Sequence, residues 1–224
     1  NIGFDDEMIR KEFFKGIRYP YITNASPNKR HDGINIARAA YAVDSSVLET
    51  EINEKNNPVF KLESLSRMQG LDSSDAHSAL TDATLTAKIL SIIKKRQPST
   101  WDMFLRTANK LDTETIFKKE EIFSLNEYFY GKSRLYLCAP LHPKHCIHPV
   151  YNWGQCVDIR VDIEPILNMS INELKVEMKK TPKFLRTIRS NKAPIILDAE
   201  YAMKVEPYNA MDPSLIKKRA KLVR

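Results

Sequence analysis

The sequence predicts an α/β chain in two parts, 1–97 and 98–224, and three observations carry that reading. Residues 79–95 form a long run with apolar residues at helical spacing. That run stops at Arg96-Gln97-Pro98-Ser99, where a proline follows a basic last turn and the composition changes. Strand-like runs appear only beyond about residue 110.

In order, 5–16 reads as a helix. Asp5, Asp6 and Glu7 suit its positive N-terminal end, Met8, Ile9 and Phe13 form an apolar stripe, and Gly16 offers a stop. The segment 19–33, YPYITNASPNKRHDG, carries two prolines and many turn formers and reads as a loop. A second helix is expected over 34–43, then a polar connection, a short helical turn at 62–68 and a Ser- and Asp-rich loop at 71–76. In the second part, strands are expected at Ile116-Phe117, Ser124-Leu125, 134–137, 156–161 and 193–197. Lysine-rich helices are expected near 171–180 and 183–189, and Asp212-Pro213-Ser214 opens a closing helix that contains KKRAKLVR.

The balance of 42% hydrophobic and 28% charged residues is that of an ordinary soluble chain. No apolar run approaches the roughly 18 residues of a membrane span, and no signal-peptide pattern opens the sequence. Three cysteines, an odd number grouped in one region, argue against a disulfide framework and for the cytoplasm. The net charge of +7 suits polyanionic partners, and equally serves solubility alone. The sequence enters at Asn1 and ends in mid-pattern at Leu222-Val223-Arg224, so it reads as a piece of a longer protein.

One acid stands out. At about 100° per residue, Ala79, Ala83, Ala87, Ile89, Leu90 and Ile93 form one broad stripe, with Thr84, Lys88 and Lys95 opposite. Asp82 falls inside the apolar side, between Ile89 and Ile93. A carboxylate there needs an opposite charge, either a basic side chain or a metal ion. The small Ala79 and Ala83 would let another backbone approach. His77 meets Asp82 only at the helix mouth, where it is suited to accept a proton near neutral pH. The plainer alternative pairs Asp82 with a core arginine and leaves His77 on the surface.

Asp5 within NIGFDDE, then His77 and Asp82 within HSALTD, resemble the second and third motifs of the DEDD-type 3′-to-5′ exonucleases, in their histidine variant. The ordered series FDDEMIRKEFF, YPY, ARAAYA, FKLESLS, DAHSALTDA, KKRQPSTWD, RTANK, YLCAPL, HPV, VDIRVDI and SNKAPIIL is similar to the bacterial exonuclease I family along nearly the whole chain. The resemblance implies the latter part of a ribonuclease-H-like domain over 1–97, then a Src-homology-3-like β-barrel with added helices over 98–224. It implies a monomeric single-stranded-DNA 3′-to-5′ exonuclease that uses two Mg²⁺ ions and releases 5′-mononucleotides in DNA repair. Asp5 and Asp82 match metal ligands and His77 the general base. The first motif, D-x-E, would lie upstream of Asn1; Asp162-Ile163-Glu164 has the letters but sits in the second part. The chain alone is therefore expected to cut slowly or not at all.

The same resemblance places Arg10, Tyr21, Arg38, Phe60, Lys61, Lys110 and Gln155 along the DNA strand, with cations for phosphates and rings for bases. Phe60 has a core reading beside this one, and Arg38 an ion-pair reading. Lys61 stands where an arginine is usual, and Ala25 where an aromatic residue is usual. The family also docks the acidic tail of single-stranded-DNA-binding protein. Two alternatives compete: a non-catalytic single-stranded nucleic-acid binder, and a zinc site in CAPLHPKHCIH, whose Cys138, His142, His145, Cys146 and His148 fit no common spacing. Tyr128-Phe129-Tyr130 reads as core or strand rather than a stacking platform.

Overall fold

The computed structural model describes residues 5–25, 27–72, 78–181 and 183–224. The chain divides into two compact units, one of Asn1–Ala108 with Asn126–Arg134, the other of Asn109–Leu125 with Leu135–Arg224.

The first unit is helical. Helix α1 (Asp5–Lys15) begins with three acids, and α2 (Gly33–Val43) is capped by Asp32, whose carboxylate accepts from the Ile34 amide. Helix α2 buries Ile36, Ala37, Ala39 and Ala40 and packs on α4 (Ala79–Arg96). A Cβ at Gly33 would lie 3.1 Å from Thr86 Cγ2, so the two helices are close where α2 begins. Helices α3 (Leu62–Met68) and α5 (Pro98–Leu105) each pack on α4, and the extended segment Asn126–Arg134 belongs to the same unit.

The buried face of α4 consists of Leu85, Ile89 and Ile93, spaced four residues apart. Each contributes about 2 kcal/mol by leaving water. The predicted stripe was broader: Ala79, Ala83 and Ala87 are exposed. A methyl side chain costs little in water, so a helical wheel cannot tell a buried alanine from an exposed one.

The second unit opens with α6 (Lys110–Lys119), where a strand was expected at Ile116-Phe117. The Asn109 side chain caps this helix by accepting from the Asp112 amide at 2.8 Å, and Lys118 and Lys119 suit its negative end. Thr113, Ile116 and Phe117 then fall on one buried face.

Strands β1 (Phe123–Phe129), β2 (Lys132–Pro140), β3 (Gly154–Asp158), β4 (Leu185–Ile188) and β5 (Ile195–Leu197) form one sheet in the order β4-β3-β2-β1-β5. Strands β2 and β3 pair antiparallel with Cys138 opposite Asp158. Strand β4 lies where a lysine-rich helix was expected. It pairs antiparallel with β3, Val157 opposite Leu185 and Gly154 opposite Ile188, so the sheet satisfies backbone groups that local spacing had assigned to a helix. Gly154 has no room for a side chain, since a Cβ would meet the Phe117 ring at 2.3 Å.

Helices α7 (Glu164–Leu167), α8 (Ile171–Glu177), α9 (Ala199–Met203) and α10 (Pro213–Val223) follow the chain through this unit. Asp212 caps α10, accepting from the Ser214 amide at 2.7 Å. Ile116, Phe117, Phe123, Leu125 and Ile196 pack with Cys138, Cys146 and Cys156, three buried free thiols.

Strand β3 ends on Asp158, only 2% exposed. Its carboxylate accepts from Arg160 Nη2 at 2.6 Å, Arg186 Nη2 at 3.3 Å and the Tyr208 hydroxyl at 2.8 Å. Burial pushes the Asp158 pKa up, and the hydrogen bonds from Arg160 and Tyr208 more than reverse it, leaving the carboxyl below its ordinary value. The same interplay raises the Tyr208 hydroxyl, through burial first and the Asp158 charge second. Among the described residues, no helix is long and apolar enough to cross a membrane.

Candidate active site and nucleic-acid interface

Two neighbouring acids open α1 and behave differently. Asp5 is exposed at the first helical position. Asp6 is buried and clamped: Thr23 Oγ1 donates to it at 2.7 Å, Arg10 Nη2 lies 3.0 Å away, and Arg30 bonds the same oxygen. Sequence reasoning treated both acids as dipole partners and missed the structural role of Asp6. The available signal was Arg10 four residues on, one turn away on the same face.

The mouth of α4 is built on Ser78, whose hydroxyl accepts from the Thr81 amide at 3.1 Å while its carbonyl accepts from the Asp82 amide at 2.9 Å. Asp82 is half-buried in the first turn, on the side that continues into Leu85, Ile89 and Ile93. His77 lies outside the described residues; it immediately precedes the Ser78 cap in sequence. Asp5 and Asp82 therefore share one local setting, the first turn of a helix, where the positive dipole end favours a carboxylate.

In kind, these acids fit a hard divalent cation, which takes carboxylate oxygens. Among the described residues, no group of three His, Cys, Asp or Glu side chains converges as a metal site. The histidine-rich segment is occupied otherwise: Cys146 Sγ donates to the Pro143 carbonyl, His142 Nδ1 accepts from the Lys144 amide, and His148 Nδ1 accepts from the amides of Val150 and Tyr151.

The residues assigned to DNA fall into three groups. Arg10, bound to Asp6, sits 5.2 Å over the ring of Tyr21, which is 50% exposed and meets Tyr19 edge-on. Arg38 sits 3.7 Å over the ring of Tyr128. Burial pulls the Arg38 pKa below its ordinary value, opposed by Tyr128 and Asp32, and its buried Nε has no hydrogen-bond partner among the described residues.

Phe60 packs edge-on against both Tyr128 and Tyr41 and is 4% exposed, so the structure places it in the core of the first unit; Lys61, next in sequence, is exposed. In the second unit, Lys110 starts α6 and lies 3.4 Å from Glu114, and Gln155 stands opposite Thr187 in the β3–β4 ladder. The structure thus gathers Arg38, Phe60 and Tyr128 around one ring cluster, and Arg10 with Tyr21 in another.

No family model matches the sequence. Among curated proteins, the chain is similar to exodeoxyribonuclease I of Buchnera aphidicola from Acyrthosiphon pisum, 29% identical over 181 residues, covering 75% of this chain and 41% of that protein. It is 25% identical over 214 residues to exodeoxyribonuclease I of Escherichia coli, covering 89% of this chain and 44% of that protein. The chain thus spans less than half the length of these relatives. In fold, it is similar to E. coli exonuclease I in complex with a dA16 oligonucleotide, with a TM-score of 0.76 and 23% identity over 100% of this chain and 50% of that one. It is similar also to an ExoI/SSB-Ct complex, with a TM-score of 0.75 and 23% identity over 99% of this chain and 50% of that one.

Proposed function

We propose that this chain, similar over most of its length to bacterial exodeoxyribonuclease I, is part of an exonuclease that removes 5′-mononucleotides from the 3′ end of single-stranded DNA. On this reading, the helical unit is the latter part of a ribonuclease-H-like domain. The five-stranded sheet, most of which lies in the second unit, corresponds to a Src-homology-3-like barrel. The observation that carries the reading is the placement of Asp5 and Asp82. Both stand in first turns of helices, Asp5 exposed and Asp82 half-buried, where the positive dipole end favours a carboxylate.

Asp5 and Asp82 would hold Mg²⁺, in the complete protein a pair of ions. When bound, the cations supply Lewis-acid polarisation of the scissile phosphate and a nucleophile at neutral pH. His77 accepts the proton of the attacking water. Arg10, Arg38, Lys61 and Lys110 meet phosphates, Tyr21 offers a ring to a base, and Gln155 offers an amide. Phe60 acts through Tyr128, whose ring it supports. The structural relative bound to SSB-Ct supports an acidic peptide tail of single-stranded-DNA-binding protein as partner. The three unpaired cysteines suit a cytoplasmic setting.

The test is Asp82→Ala in the full-length protein, assayed with 3′-labelled single-stranded DNA and Mg²⁺. Cutting is expected to vanish while DNA binding persists; unchanged turnover rejects the metal role. His77→Ala is expected to slow single-turnover cleavage by roughly two to four decades, and a wild-type rate removes it from the chemistry.

A further inference from the structure

Tyr130 and Gly131 are the two residues that connect β1 to β2, and both have positive φ, +50° and +78°. Two-residue hairpin turns of this hand favour Asn, Asp and Gly, because a larger side chain crowds the backbone there. Gly131 meets that demand, and its missing Cβ also makes room for Asn57, whose Nδ2 would lie 2.5 Å away. Tyr130 does not meet it. A bulky residue is strained in the left-handed region, and its ring gains no burial in return: Tyr130 is 81% exposed and Phe129 is 56% exposed. The two rings lie side by side, with centroids 4.2 Å apart. Strain kept without burial points to a bound partner.

The surroundings say which partner. Arg38 lies over Tyr128 in the same segment, Lys132 and Arg134 are exposed on the outgoing strand, and Glu127 is the acid of the segment. Alternating cations and exposed rings are the chemistry that holds a single strand, with phosphates on the cations and bases on the rings. The turn is seated on Asn57, whose own loop is tied by Asn53 Oδ1 to the amides of Lys55 and Asn57, so the rings project from a fixed base.

We propose that Phe129 and Tyr130, at the tip of the β1–β2 hairpin, form a base-stacking element for single-stranded DNA, flanked by Arg38, Lys132 and Arg134 as phosphate contacts. This rests on the single-strand reading above. The sequence reading of Tyr128-Phe129-Tyr130 as strand holds for Tyr128 and Phe129, which end β1, and the proposal adds a ligand to the exposed rings at its tip.

The experiment measures binding of a fluorescent oligothymidylate, and of an abasic oligomer of equal length, to the full-length protein in a chelator. Phe129→Ala and Tyr130→Ala are each expected to weaken thymidylate binding roughly tenfold and to leave abasic binding unchanged. Tyr130→Phe should bind as the wild type does. Tyr130→Gly relieves the turn, so its melting temperature should rise while its affinity for thymidylate falls. Wild-type affinity in the alanine variants, or equal losses on both oligomers, overturns stacking and leaves the patch to a protein surface. A wild-type protein that binds neither oligomer overturns the single-strand reading and this proposal together.

Discussion

Asp6 in the first unit and Asp158 in the second are solved by the same device from unrelated parts of the chain. Each is a buried carboxylate held by two arginines and a hydroxyl: Arg10, Arg30 and Thr23 for Asp6, and Arg160, Arg186 and Tyr208 for Asp158. The difference lies in what each clamp joins. Asp6 ties the first turn of a helix to the irregular segment after it, with Arg10 still partly in water. Asp158 ends a central strand, joins it to its neighbour β4 and reaches into the turn at Tyr208. Set beside them, Asp5 and Asp82 stand in the first turns of helices, Asp5 exposed and Asp82 half-buried, and the proposed function gives them to a ligand rather than to the scaffold.

The largest effect that would break this comparison is catalytic. Asp82→Asn in the full-length protein should abolish nuclease activity while leaving its thermal melt within a degree or two of wild type. A melt that collapses with the activity would move Asp82 among the building acids. Next comes Asp158→Ala, which leaves the largely buried Arg186 guanidinium without its counter-charge and the buried Tyr208 hydroxyl without its acceptor. A loss of about 4 kcal/mol is expected by urea unfolding, followed on the second unit. Near-wild-type stability would mean that water replaces the carboxylate.

The third effect is one of pH. Burial pushes the His31 imidazole down to about 4, against the pull of Asp32. Between about 4 and the ordinary 6.5, the unfolded chain binds a proton that the folded one refuses. Stability of the first unit should therefore fall as the pH drops through that window, by about 3 kcal/mol in all. Asp158 acts in the same direction at lower pH. Its carboxyl lies below the ordinary 3.8, so its contribution is intact above that value and is lost as acidification proceeds beneath it. Unfolding followed from pH 7 to 4 should show the first unit weakening first, and His31→Gln should flatten that slope; a slope unchanged by the substitution would place the sensitivity elsewhere. The smallest effect is Asp6→Asn, about 1–2 kcal/mol by urea titration, because an amide still accepts from Thr23 and Arg10 is partly solvated.

What the sequence could show followed from local chemistry. Acids at Asp5, Asp6 and Glu7, the Asp212-Pro213-Ser214 start and the long run ending before Pro98 all mark helix ends through backbone groups within a turn. The strand expected at Ile116-Phe117 failed because two β-favouring residues outweighed the cap at Asn109, seven residues upstream. The helix expected over 183–189 failed because β4 is held by its ladder to β3, a contact about thirty residues away that no window includes. At the candidate site, Asp82 was legible because a charge on an apolar face is conspicuous. The strain at Tyr130 was not, since a backbone angle leaves no mark on composition.

All three thiols, Cys138, Cys146 and Cys156, belong to the second unit and are shielded from solvent. A sulfhydryl reagent added to the native protein can therefore react only when that unit opens. The rate of labelling becomes an intrinsic clock for the opening of one half of the molecule, indifferent to the other, and it needs no engineered probe.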